Sequence, residues 1–109
     1  MQIELNTEKN ILIIAIEGSI DSKTAPDAQQ KMLEAAQNAQ NIILDLSKVD
    51  FISSAGLRVL LMVYRQIKSA NGKVVLVGVS EEIKDVMSMT GFVKFFEIAE
   101  SMEDAKSKF

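Results

Sequence analysis

The sequence predicts an α/β domain with a mixed, mostly parallel sheet, and three observations predict it. The chain has 109 residues, the length of one domain with a core of its own. Three runs, 11–16, 42–46 and 73–79, are nearly continuous in apolar residues, as strands buried on both faces are. Stretches of helical spacing separate them, and such alternation implies parallel pairing through crossover helices.

In order, Ile3 and Leu5 alternate with polar neighbours as a half-buried strand does. The polar turn 7–10 joins them to the β-branched run 11–16, making an N-terminal hairpin that Gly18 should end, with 18–21 as a loop. Thr24 and Pro26 mark a helix start, and Ala28, Met32, Ala35, Ala36 and Ala39 recur at helical spacing. Residues 42–46 form the next buried strand. An amphipathic helix follows from about Leu57 to Ser69, stopped by Asn71-Gly72. After the strand at 73–79, Ser80 caps a helix with Glu81 and Glu82 in its first turn, ending near Gly91. Residues 95–98 read as a short last strand, and Ser101 with Asp104 resembles a capping box opening a final helix. The expected order is β-β-α-β-α-β-α-β-α, one domain over 1–109.

Composition narrows the function. The formal net charge of −3 suggests neither nucleic acid nor anionic lipid as a partner. No apolar stretch approaches the roughly 20 residues that span a bilayer. Met1-Gln2-Ile3-Glu4 carries no basic or apolar signal region, so a cytoplasmic location without direct membrane contact is expected. Cysteine and histidine are both absent, which removes thiolate nucleophiles, the usual zinc sites and histidine bases. An enzyme is therefore not expected, nor a cofactor or metal. The five glycines form no nucleotide-binding fingerprint, and Asp45 and Asp50 read as capped or solvated acids rather than magnesium ligands.

The most informative segment is Phe51-Ile52-Ser53-Ser54-Ala55-Gly56-Leu57, where an apolar run gives way to a helical pattern. A helix start has unpaired amides and partial positive charge, which favour an anion there. Ser53 and Ser54 could be a simple capping pair, or a place where phosphate binds or is attached. Projected at about 100° per residue, Leu57, Leu60, Leu61, Tyr64 and Ile67 share a core face, while Val59 and Met62 point away beside Gln66. The outer pair suggests a partner surface, or cover by a neighbouring helix. Arg58, about a turn from the hydroxyls, reads better as a solvated charge than as a phosphate partner.

At residues 52–57 the chain resembles the STAS domain family, and within it the bacterial anti-sigma factor antagonists. Gly18-Ser19-Ile20-Asp21 is similar to that family's Gly-x-x-Asp element, residues 41–50 to its central strand, and Met89-Thr90-Gly91-Phe92 to its Ser/Thr-Gly-apolar segment. The resemblance implies partner switching. Such a protein binds an anti-sigma factor that is itself a serine kinase of the histidine-kinase-like ATPase class, and so frees a sigma factor. The kinase phosphorylates a serine at the start of the second helix, and a metal-dependent serine phosphatase removes the phosphate. By position that serine is Ser54, with Ser53 as runner-up because it stands where many members have Asp. The implied partner surface comprises Ile20, Asp21, Ser53, Leu57, Arg58, Val59, Met62, Met89, Thr90, Gly91 and Phe92. The alternatives are a ligand- or nucleotide-sensing STAS module and a regulatory STAS subunit of a transporter.

Overall fold

A computed structural model describes residues 1–109. The elements are β1 (Gln2–Glu8), β2 (Ile11–Ile20), α1 (Ala25–Ala36), β3 (Asn41–Ile52), α2 (Ser54–Ser69), β4 (Lys73–Val77), α3 (Glu81–Thr90), a 3₁₀ turn (Phe92–Phe95), β5 (Glu97–Ala99) and α4 (Met102–Ser107). The five strands lie in the order β1-β2-β3-β4-β5, with β1 antiparallel to β2 and the other pairs parallel. Lys9 and Asn10 both take positive φ, so the hairpin turns in the two residues between Glu8 and Ile11.

Successive parallel strands are added in one direction, and crossovers share one hand, so their helices fall on one face. Ala28 and Met32 of α1, Leu57 and Leu60 of α2, and Ile83 and Met87 of α3 accordingly share a core with Ile14, Ile16, Leu44 and Leu76. The alternate side chains of the same strands, Ile13, Ile43 and Val75, face the other way and are covered by Ala105 of α4. Lys106 of α4 ties down the hairpin by pairing with Glu8, whose carboxyl its hydrogen bond and charge hold below the usual range. No helix is long and apolar enough to cross a membrane.

Three expectations are corrected. Gly18 does not end β2: at φ +99° it sits beside a register shift, and the strand continues to Ile20. Glycine here makes a bulge rather than a stop. β3 likewise continues past Leu46, because Val49 and Ile52 turn inward while Ser47, Lys48 and Asp50 stay exposed. The extensions pair with each other, Gly18 with Val49 and Ile20 with Ile52, and project beyond the last β3–β4 pair, Asp45 with Val77. Finally, Phe95 belongs to the 3₁₀ turn and β5 is confined to Glu97–Ala99.

Candidate functional site

The extended β2–β3 pair delivers the chain to the Ser53-Ser54 joint. Ser53 keeps an extended backbone, and its N–H donates to the Ile20 carbonyl at 2.9 Å. Its Oγ accepts from the Gly56 N–H at 3.2 Å, and its carbonyl accepts from the Leu57 N–H at 2.9 Å. Ser53 is therefore the N-cap of α2, half-buried, with its hydroxyl oxygen engaged. Ser54 is the first helical residue; it is exposed, and its hydroxyl makes no hydrogen bond within the protein. The two adjacent alcohols thus differ in environment although they are identical in chemistry.

Gly56 permits this arrangement. A Cβ there would stand 2.6 Å from the Ile20 carbonyl oxygen and 2.7 Å from Ile52 Cγ1. The first turn of α2 lies directly on the ends of both strands.

One residue past Ile20, Asp21 begins the turn that leads into α1. Its carboxylate accepts from the Lys23 N–H at 2.9 Å and the Thr24 N–H at 3.0 Å, and its carbonyl accepts from the Ala25 N–H at 2.8 Å. The Thr24 hydroxyl accepts from the Asp21 N–H and donates to the Ser19 carbonyl, both at 2.9 Å. Hydrogen bonds from the Thr24 and Lys23 amides hold the Asp21 carboxyl below its usual range. Thr24 is the N-cap residue of α1 and Pro26 lies in its first turn, as expected, but the Thr24 side chain makes no capping hydrogen bond; the Asp21 carboxylate serves the amides of the turn just ahead of the helix. Ser19 Oγ donates to Asp50 at 2.8 Å and pins the strand ends together.

α1 and α2 leave a shallow groove between them, lined by Ser22, Pro26, Gln29, Ala55, Arg58 and Met62, among others. Arg58 is exposed and Met62 half-buried, as a surface requires. Val59 corrects the helix projection: it is 2 % exposed and belongs to the core. The projection centred the apolar face on the sheet alone, whereas α1 covers a second flank of α2. Ile20 and Leu57 are wholly buried too, so they support the surface from beneath.

The segment Met89–Phe92 is brought elsewhere. α3 starts at the end of β4 and runs back along the sheet, so its last turn lies towards the opposite end from Ser54. Met89 is exposed, the Thr90 hydroxyl donates to the Val86 carbonyl at 2.8 Å, and Gly91 closes α3 in the left-handed region. Phe92 stacks edge-on against Phe95, which meets Tyr64 with ring centroids 5.9 Å apart. Tyr64 is about 15 Å along α2 from Ser54 at 1.5 Å per residue. Phe51, read in the sequence only as part of the apolar run before the joint, is 54 % exposed there. The register shifts in the β2–β3 pair break simple alternation, so no periodic signal would have found it.

This five-stranded mixed sheet, with its serine pair at the start of α2, is the fold of a known class. The STAS domain model matches residues 2–105, and the chain belongs to the STAS domain family. It is 30 % identical, over 100 % of its length and 95 % of the relative's, to BtrV of Bordetella bronchiseptica, described as a candidate anti-sigma factor antagonist. It is 29 % identical to the anti-sigma F factor antagonist of Paenibacillus polymyxa, covering 96 % of this chain and 92 % of that protein. Among solved structures it is similar in fold to the Bacillus cell fate determinant SpoIIAA in its phosphorylated form, with a TM-score of 0.75, 21 % identity and 98 % of each chain covered. The unphosphorylated form of SpoIIAA gives a TM-score of 0.77 at 17 % identity, covering 98 % of this chain and 96 % of that one.

Proposed function

We propose that this chain is an anti-sigma factor antagonist whose affinity for its partner is set by phosphorylation of Ser54. With Ser54 unmodified, the surface around Asp21, Ser53, Ser54, Arg58 and Met62 docks on an anti-sigma factor that is itself a serine kinase. Phosphorylation by that kinase ends the complex, and a metal-dependent serine phosphatase restores it. The observation that carries this reading is the exposed, uncommitted Ser54 hydroxyl at a helix start, beside a Ser53 hydroxyl already used as the cap. Two named anti-sigma factor antagonists among the relatives support it, as does a STAS-fold protein solved in both phosphorylation states.

Electrostatics suffices for the switch. A phosphate adds about −1.5 to −2 charges. The start of α2 favours that charge by about 0.3–1 kcal/mol, so the fold survives it. Burying the same charge against a partner that offers no cation costs several kcal/mol. Each 1.4 kcal/mol weakens binding about tenfold, so no refolding is required. Phosphopeptide mapping of protein purified from its native host tests the reading. The expected result is phosphate on Ser54; phosphate on Ser53 alone, or on neither serine under any growth condition, would overturn it.

A further inference from the structure

Resting on the reading that Ser54 carries the phosphate, we propose that Arg58 is its intramolecular partner. The guanidinium folds back over phosphorylated Ser54 and holds the dianion against the start of α2. Ser54 and Arg58 are four residues apart on the outer face of the helix, and both are exposed. Side chains at that spacing are neighbours, and an anion preceding a cation is the favourable order. Helical side chains also lean towards the N-terminus, which aims the Arg58 stem at Ser54. A guanidinium matches phosphate geometry with two parallel hydrogen bonds.

The sequence alone favours Arg58 as a solvated charge, but the structure leaves it free for this part. It belongs to no ion pair and donates no hydrogen bond. It is the sole charged residue lining the groove between α1 and α2. The nearby acids are engaged: Asp21 with backbone amides, Asp27 with Lys31 at 3.2 Å. Arg65 shares the outer face but lies about 16 Å from Ser54 along the axis. α2 also lacks an acidic residue in its first turn, whereas α1, α3 and α4 each have one or two. Phosphate on Ser54 would supply that missing charge with its counterion in place. A phosphatase must then displace Arg58 to reach the ester, which prolongs the released state.

The test uses full-length protein with phosphoserine installed at position 54 during synthesis, followed by ³¹P NMR through the second phosphate ionisation. A paired cation stabilises the dianion, so the midpoint of Arg58→Ala should lie above wild type by about half a pH unit. Arg58→Lys should fall between them, and the gap should narrow in about 0.5 M salt. Lys23→Ala, which removes the cation of the Asp21 loop, should leave the midpoint near wild type. Equal midpoints for wild type and Arg58→Ala would overturn the pairing, as would an equal displacement by Lys23→Ala. No kinase enters the measurement, so failure to find Ser54 phosphorylated in the host would count against the functional reading alone.

Discussion

The Ser53 N–H donates to the Ile20 carbonyl at 2.9 Å, and that bond joins the end of the β2–β3 extension to the first turn of α2. It fixes which of two adjacent alcohols faces outward. With Ser53 turned into the cap, Ser54 begins the helix with its hydroxyl in solvent. The difference in exposure between the two serines is thus set by the backbone.

Ser53→Ala should destabilise the domain by about 1 kcal/mol, because the Gly56 amide loses its acceptor. Ser53→Asp keeps an N-cap acceptor and should stay close to wild type, and Ser54→Ala should move stability by less than about 0.5 kcal/mol. Urea denaturation at neutral pH separates the three. Equal losses at both serines would refute the division of roles.

Gly56→Ala should be worse than any serine change. Its Cβ would stand 2.6 Å from the carbonyl that Ser53 uses, and backbone cannot move aside as a side-chain tip can. Overpacking of this kind costs about 1–3 kcal/mol, read as a lower urea midpoint.

Val59→Asp and Met62→Asp should part company. Val59 of α2 is enclosed by α1 and the sheet, so an unpaired carboxylate there costs several kcal/mol and should unfold the domain. Met62 is only half-buried at the groove, and its variant should keep the native circular dichroism spectrum.

Much of this was legible in the sequence. Apolar runs marked the strands, and Ser80 and Ser101 cap α3 and α4 as their spacing predicts. What was hidden is non-local. Val59 is buried because α1 lies on α2; the projection allows cover by a neighbouring helix but cannot choose between that and a partner surface. Gly18 reads as a stop because a bulge is defined only by its partner strand. The grouping of Met89–Phe92 with Ser54 rests on motif order along the chain, whereas α3 runs back along the sheet and carries that segment towards Phe95 and Tyr64. The capping part of Ser53 is ordinary Ser chemistry, but only the contact with Ile20 shows which serine takes it.

Asp21 makes stability depend on acid. Its carboxyl is held below the ordinary value of 3.8 by the Thr24 and Lys23 amides. A group depressed in the folded state stabilises above its unfolded value, and that stabilisation is lost as pH falls through the folded one. Wild type should therefore lose melting temperature more steeply than Asp21→Asn below about pH 4. Parallel curves for the two proteins would contradict the part given to that carboxylate in holding the turn ahead of α1.

Co-purification from the native host with wild type, Ser54→Ala and Ser54→Asp tests the central claim most directly. A negative side chain at position 54 should abolish retention of a histidine-kinase-like ATPase that wild type and Ser54→Ala both hold, while the Ser54→Asp protein remains natively folded by circular dichroism. Retention of that ATPase by Ser54→Asp at the wild-type level would contradict it.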